Sequence, residues 1–188
     1  MTFKFLKFTT LVCFMFGWFF VRPVLAEYQL PGSVSQELAL KIGEKLYRSQ
    51  KQGCVSCHRL DGTGGQQAGA ANLQTPSKWK SALIAKQAKE LGVKNVTPRT
   101  IAVGLILNGA EKWNAEFYNK EQFGQLKNKI FFDRRMIGVH STALRANLKM
   151  AKRMLKRKRK RVASKNILRL MAESVYIYMN KEFFLNSK

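Results

Sequence analysis

From residue 36 onward the apolar positions fall into bounded patterns. Leu38, Ile42 and Leu46 recur every four residues, with Ala39, Gly43 and Tyr47 in a second row beside them. That spacing predicts one buried face of a helix. Pro31-Gly32 followed by Ser33-x-x-Gln36 reads as its capping-box start, and Gln52-Gly53 as its stop. Trp79, Leu83, Ile84, Ala88 and Leu91 predict a helix running to Gly92. Thr97-Pro98 supplies an N-cap and a first-turn proline for the next, carried through Ile101, Leu105 and Ile106 to Asn108-Gly109. Leu144, Leu148, Ala151 and Leu155 place a stripe on a further helix that begins near Thr142 and breaks near Ser164. An aromatic-rich helix over 167–183 follows, so the expected class is all-α.

Residues 1–26 obey a different pattern. Lys4 and Lys7 precede an apolar run from Phe8 to Val21, and Arg22-Pro23-Val24-Leu25-Ala26 follows. A positive start, an apolar core too short for a spanning helix and a small residue at the end predict a secretory signal peptide cleaved after Ala26. An uncleaved anchor helix is the alternative, but Arg22 and Pro23 interrupt the run early. The expected organisation is a signal peptide at 1–26 and one domain at 27–188, exported to a bacterial periplasm or an equivalent compartment.

Charge and cysteine count sharpen the picture. The chain of 188 residues carries 34 Lys+Arg against 11 Asp+Glu, a net charge of +23. Losing Lys4, Lys7 and Arg22 with the leader leaves 31 bases against the same 11 acids. So large an excess implies an anionic partner or surface. Three cysteines exclude a disulfide framework, and Cys13 leaves with the leader. The mature chain keeps only Cys54 and Cys57.

Those cysteines stand in Cys54-Val55-Ser56-Cys57-His58, which matches C-x-x-C-H, the attachment sequence for c-type haem. Two thiols three positions apart can reach two vinyl groups on one edge of a porphyrin and form thioethers. The adjoining His58 is then the expected proximal axial ligand, its other ring nitrogen held by a backbone carbonyl or similar acceptor that fixes the tautomer. A zinc site would need four ligands, and beyond these three the mature chain offers only the distant His140. A thioredoxin-like dithiol would need a preceding strand, where the pattern here is helical. The glycine-rich stretch Asp61–Leu73 contains no phosphate-binding fingerprint and reads as backbone packed near a flat cofactor.

Taken together, the helix with Gly43-x-x-x-Tyr47, the Cys54–His58 motif, the Ala71-Asn72-Leu73 loop, the middle helix ending in Gly109 and the aromatic last helix resemble a class I monohaem cytochrome c over about 33–110 and 167–183. The resemblance implies a helical domain around one covalently bound haem c, with a basic helical insertion at about 142–165 before the last helix. It also implies a glycine–aromatic crossing of the first and last helices, here Gly43 with Tyr178 or Tyr176. The family usually supplies a methionine as sixth iron ligand from a loop before the last helix. Met136 is the mature methionine in such a context and is the expected ligand. His140 is the alternative, and an open or water-bound iron a third case. Met136 lies further from the middle helix than the family pattern has it.

From Arg145 to Arg169 the chain holds twelve Lys/Arg and no acid. The preferred partner for the Lys149–Lys165 region is an acidic redox protein, because complementary charge speeds short-lived encounters. A larger oxidoreductase complex and an anionic membrane surface are further partners the run admits, whereas nucleic acid does not suit an exported haem protein. The expected function is electron transfer by iron cycling Fe(III)/Fe(II), not independent catalysis. The alternative is a haem protein whose open distal side binds or converts a small ligand such as NO.

Overall fold

Ser35, rather than Ser33, opens the first helix. Its backbone is extended (φ −68°, ψ 150°) and its hydroxyl accepts a hydrogen bond from the Leu38 N–H at 3.3 Å. The structure, a computed structural model, describes residues 30–31, 34–50, 52–65, 70–109 and 139–184, with side chains from 142 in the last stretch. The predicted leader, Met136 and the side chain of His140 lie outside the described residues. Helix α1 spans Gln36–Tyr47, ending before the predicted Gln52-Gly53 stop, and buries Leu38, Ala39, Ile42, Gly43, Leu46 and Tyr47.

A single turn, α2 (Val55–His58), holds the cysteine motif. A short 3-10 turn at Pro76–Lys78 leads into α3 (Lys80–Glu90), and α4 spans Pro98–Asn108. The predicted apolar face of α3 is only partly inward: Ile84 and Ala88 are buried, while Leu83 and Leu91 are exposed. Thr97 caps α4 reciprocally with Thr100, each hydroxyl accepting from the other's N–H at 3.1 and 2.9 Å. Gly109 ends α4 in the positive-φ region, at φ 81°.

Where one basic helix is expected, the chain makes two. Helix α5 (Val139–Ala146) and α6 (Leu148–Arg157) meet at Asn147, whose amide donates to the Ala143 carbonyl at 2.9 Å and ends α5. His140 therefore sits on helical backbone in the first turn of α5. Helix α7 (Ser164–Met179) continues into a wider turn at Asn180–Phe184. The class is all-α, with no strand among the described residues.

Helices α1 and α7 form the principal contact, and α4 packs on α7. At their crossing a Cβ on Gly43 would fall on the Ser174 carbonyl and lie 2.9 Å from Tyr178 Cβ. The glycine–aromatic pair is thus Gly43 with Tyr178; Tyr176 instead packs edge-on to Phe184. The basic segment is no appendage, because Leu144, Ala151 and Leu155 join the same continuous core as α1 and α7. Beside the crossing Ser174 Oγ is buried without a hydrogen-bond partner among the described residues. The neighbouring Glu173 is only 3% exposed and accepts from Arg99 Nη2 at 3.2 Å. Burial pushes its carboxyl up to about 7, while the guanidinium pulls the other way.

Gly43→Ala is expected to destabilise the protein by roughly 1–3 kcal/mol or more in urea unfolding, because backbone rather than a flexible side chain must give way. The exposed Lys45→Ala, one turn from the same helix end, should change it little; equal effects would deny the close approach.

The Glu173 carboxyl has a folded pKa above its ordinary 4.5, so its share of stability is present below 4.5 and is lost as pH rises through about 7. Glu173→Gln keeps the shape of the protonated form. Its melting temperature relative to the parent should therefore climb between those two pH values. A relative decline would mean that Arg99 outweighs burial.

Candidate functional site

The motif turn is fixed from both sides by α1. Gly53 brings the chain so near the end of α1 that a Cβ would fall on the Ser49 carbonyl. Ser56 Oγ then donates to the Gly53 carbonyl at 2.8 Å, and the Cys57 and His58 N–H groups donate to the Cys54 carbonyl at 3.2 and 2.9 Å. One helical turn therefore presents Cys54 and Cys57 at i and i+3, with His58 at i+4. The chain leaves this turn through Arg59 in the left-handed region (φ 60°). Tyr47, the last residue of α1, donates its hydroxyl to the Arg59 carbonyl at 2.6 Å. The Tyr47 ring also lies 5.2 Å from that of Tyr178 and 5.3 Å from that of Phe183.

His58 is 7% exposed, and its Nδ1 lies 2.9 Å from the Ala71 carbonyl. A carbonyl only accepts, so Nδ1 carries the proton and Nε2 the lone pair. Burial holds the ring below its ordinary pKa of 6.5, opposed by the Ala71 carbonyl. The imidazole is thus neutral near pH 7, the form that can give an electron pair to a metal. Cys54 packs against the core, and burial pushes its thiol up to about 12. Both cysteines are half-buried thiols.

The Ala71 carbonyl is itself held. Gly62 and Gly64 adopt positive φ (76° and 72°); the first lies against the Phe183 ring and the second against the Ala70 and Ala71 carbonyls. The Leu73 N–H donates to the Gly62 carbonyl at 2.7 Å, and the Gly64 N–H to the His58 carbonyl at 3.2 Å. Trp79 donates its indole N–H to the Asn72 carbonyl at 2.7 Å and meets Phe184 edge-on at 4.7 Å. Gly62 and Gly64 of the glycine-rich stretch are thus packed on Phe183 and on the loop's own backbone.

Sequence reasoning had Cys54, Cys57 and His58 together, and the fold sets them on one turn. A backbone carbonyl is among the acceptors expected for the His58 ring, and the structure supplies it from Ala71; which carbonyl it is leaves no mark in residue identity. Sequence reasoning read Trp79 as helix core, although the indole braces the loop, and it did not single out Phe183 or Phe184. Among the described residues no three His, Cys, Asp or Glu side chains converge where a bare metal ion could sit. No helix among them is long and apolar enough to cross a membrane. No protein-family model matches the chain, and neither does any curated protein or solved structure.

Tyr47→Phe removes the donor to the Arg59 carbonyl. Its expected cost is about 1 kcal/mol, with faster amide exchange over Arg59–Thr63 than in the parent. A loss of stability spread evenly over α1 and α7, with no change in that loop, would show that the hydroxyl does not fasten it.

Proposed function

We propose that the chain is an exported monohaem c-type cytochrome of class I, acting as an electron carrier or as the electron-transfer subunit of a larger oxidoreductase. The observation that carries this reading is the buried, neutral His58, its Nδ1–H engaged by the Ala71 carbonyl, on the same helical turn as Cys54 and Cys57. These residues fit haem c: two thiols at thioether spacing, and an imidazole whose tautomer leaves Nε2 for iron. The group would supply a one-electron Fe(III)/Fe(II) couple.

The chain's own part is to hold that donor set still. Cys54 and Cys57 would retain the haem covalently, and His58 would be its proximal ligand. The Ala71 carbonyl orients the His58 ring and strengthens its basicity. Tyr47 and Phe183 pack behind the turn, and Trp79 steadies the loop that carries Ala71. Met136 is the proposed sixth ligand, with His140 the alternative, and both rest on the sequence. The leader at 1–26 supports export, since c-type haem is attached outside the cytoplasm. The net charge calls for an anionic counterpart.

Protein from a host able to attach c-type haem should give a pyridine haemochrome spectrum equivalent to one haem per chain, with both thiols closed to alkylation. Cys54→Ala with Cys57→Ala should lose the covalent haem. The ferric parent should show the long-wavelength charge-transfer band of thioether ligation, and Met136→Ala should lack it. A colourless parent with two alkylatable thiols would end the proposal.

A further inference from the structure

The fold gathers the basic run onto one face. On α6, Ala151 and Leu155 are buried at 0% and 3% exposure, which turns Lys149, Lys152, Arg153 and Lys156 outward at i, i+3, i+4 and i+7. With Arg145 these side chains line an open depression of about 520 Å³. A second, of about 750 Å³, shares Lys152 and Lys156 and adds Arg159, Lys160 and Arg161. Arg159 takes a left-handed φ of 52°, which turns the chain after α6 while the run of bases continues.

One hydrogen bond and one electrostatic neighbour give the direction of α6 against α1. At the motif end, Ser49 Oγ donates to Asn147 Oδ1 at 3.0 Å. At the other end, the Glu37 carboxyl is drawn below its ordinary value first by its hydrogen bond to Lys41 and, further down, by the nearby Lys158 ammonium. The densest charge, Lys156–Arg161, therefore lies toward the start of α1, while the Cys54–His58 turn follows its end. A helix of 12 residues separates them by about 17 Å. Val34 and Ser35, through which the chain enters α1, stand at the charged end.

We propose that the outward face of α6 and the 158–161 turn form a docking surface for an anionic lipid bilayer, which they hold with the Cys54–His58 turn directed away from the headgroups. Three observations favour lipid over the acidic protein partner suggested by the sequence. The surface carries one sign of charge from Arg145 to Arg169, without the acids that would fix a protein partner's register. Its densest part is remote from the motif, where an electron partner must approach. It also lies at the end where the chain enters, just after the apolar run 8–21 that directs the chain to a membrane whether or not it is cleaved. Among the described residues of this face there is no Trp or Phe, so binding is electrostatic adsorption without insertion. The lipid contact itself is independent of haem; only the stated orientation rests on the proposed function.

The test is sedimentation of the protein, as recovered from an exporting host, with vesicles of phosphatidylcholine alone or with about one-third phosphatidylglycerol. Expected are co-sedimentation with the anionic vesicles only and release when salt is raised from about 50 to about 500 mM. Combined Lys152→Gln, Arg153→Gln, Lys156→Gln and Lys160→Gln should cut the partition coefficient about a thousandfold. Because all four side chains are exposed, the melting temperature should stay that of the parent. Equal partition onto both kinds of vesicle, or an undiminished variant, would overturn the proposal. So would a parent that ignores anionic vesicles yet binds an acidic redox protein in a salt-sensitive manner lost in the variant, which would give this face to a protein.

Discussion

The backbone of α1 rests on the backbone of α7 at Gly43 and Ser174, and this approach orders the rest of the molecule. With no side chain between them, the helices bring Tyr47 and Tyr178 together one turn further along. Tyr47 then reaches forward to the Arg59 carbonyl and ties the exit of the cysteine turn to α1. Beyond its last regular turn, α7 sends Phe183 under Gly62 and Phe184 against Trp79, so both sides of the motif loop lean on one helix. Beside the close approach, the buried Ser174 hydroxyl has no hydrogen-bond partner among the described residues.

How much of this could be read beforehand depended on whether the determining group was a side chain. The inward face of α1, the Thr97 cap and the Gly109 stop are written in residue types and were legible. So was the grouping of Cys54, Cys57 and His58, because spacing alone sets it. The cap at Ser35 was misread as Ser33, since both are serines and only backbone geometry chooses between them. The division of α5 from α6 was hidden because Leu144, Leu148, Ala151 and Leu155 keep helical spacing across the bend. What ends α5 is Asn147 folding back onto the Ala143 carbonyl. Leu83 and Leu91 belong to the apolar pattern that predicts α3, yet α3 meets a helical neighbour chiefly at α4 and leaves them outside. That the His58 ring would be held by an acceptor such as a backbone carbonyl was legible from its role, but not that Ala71 supplies it, since every residue carries the same main-chain oxygen.

The chain handles its charge in two opposite ways. Inside, a carboxylate on α7 meets a guanidinium from α4 that also lies 5.7 Å from the Tyr176 ring centroid, so the burial of Glu173 is partly compensated by charge and by an aromatic face. Outside, α6 keeps a row of bases with no acid among them, although its other face is buried in the same core as α1 and α7. Such a row is tolerated because water screens it, and its position is fixed because the helix beneath it is packed.

Phe183 meets Tyr47 and Gly62 across most of the length of the polypeptide. Contacts between such distant positions are among the slowest to form, since a long stretch must be ordered before they close. During that interval the sulfurs and the imidazole remain reachable from solution. Closing the loop over the cysteine turn therefore waits on residues beyond α7, not on the turn's own helix.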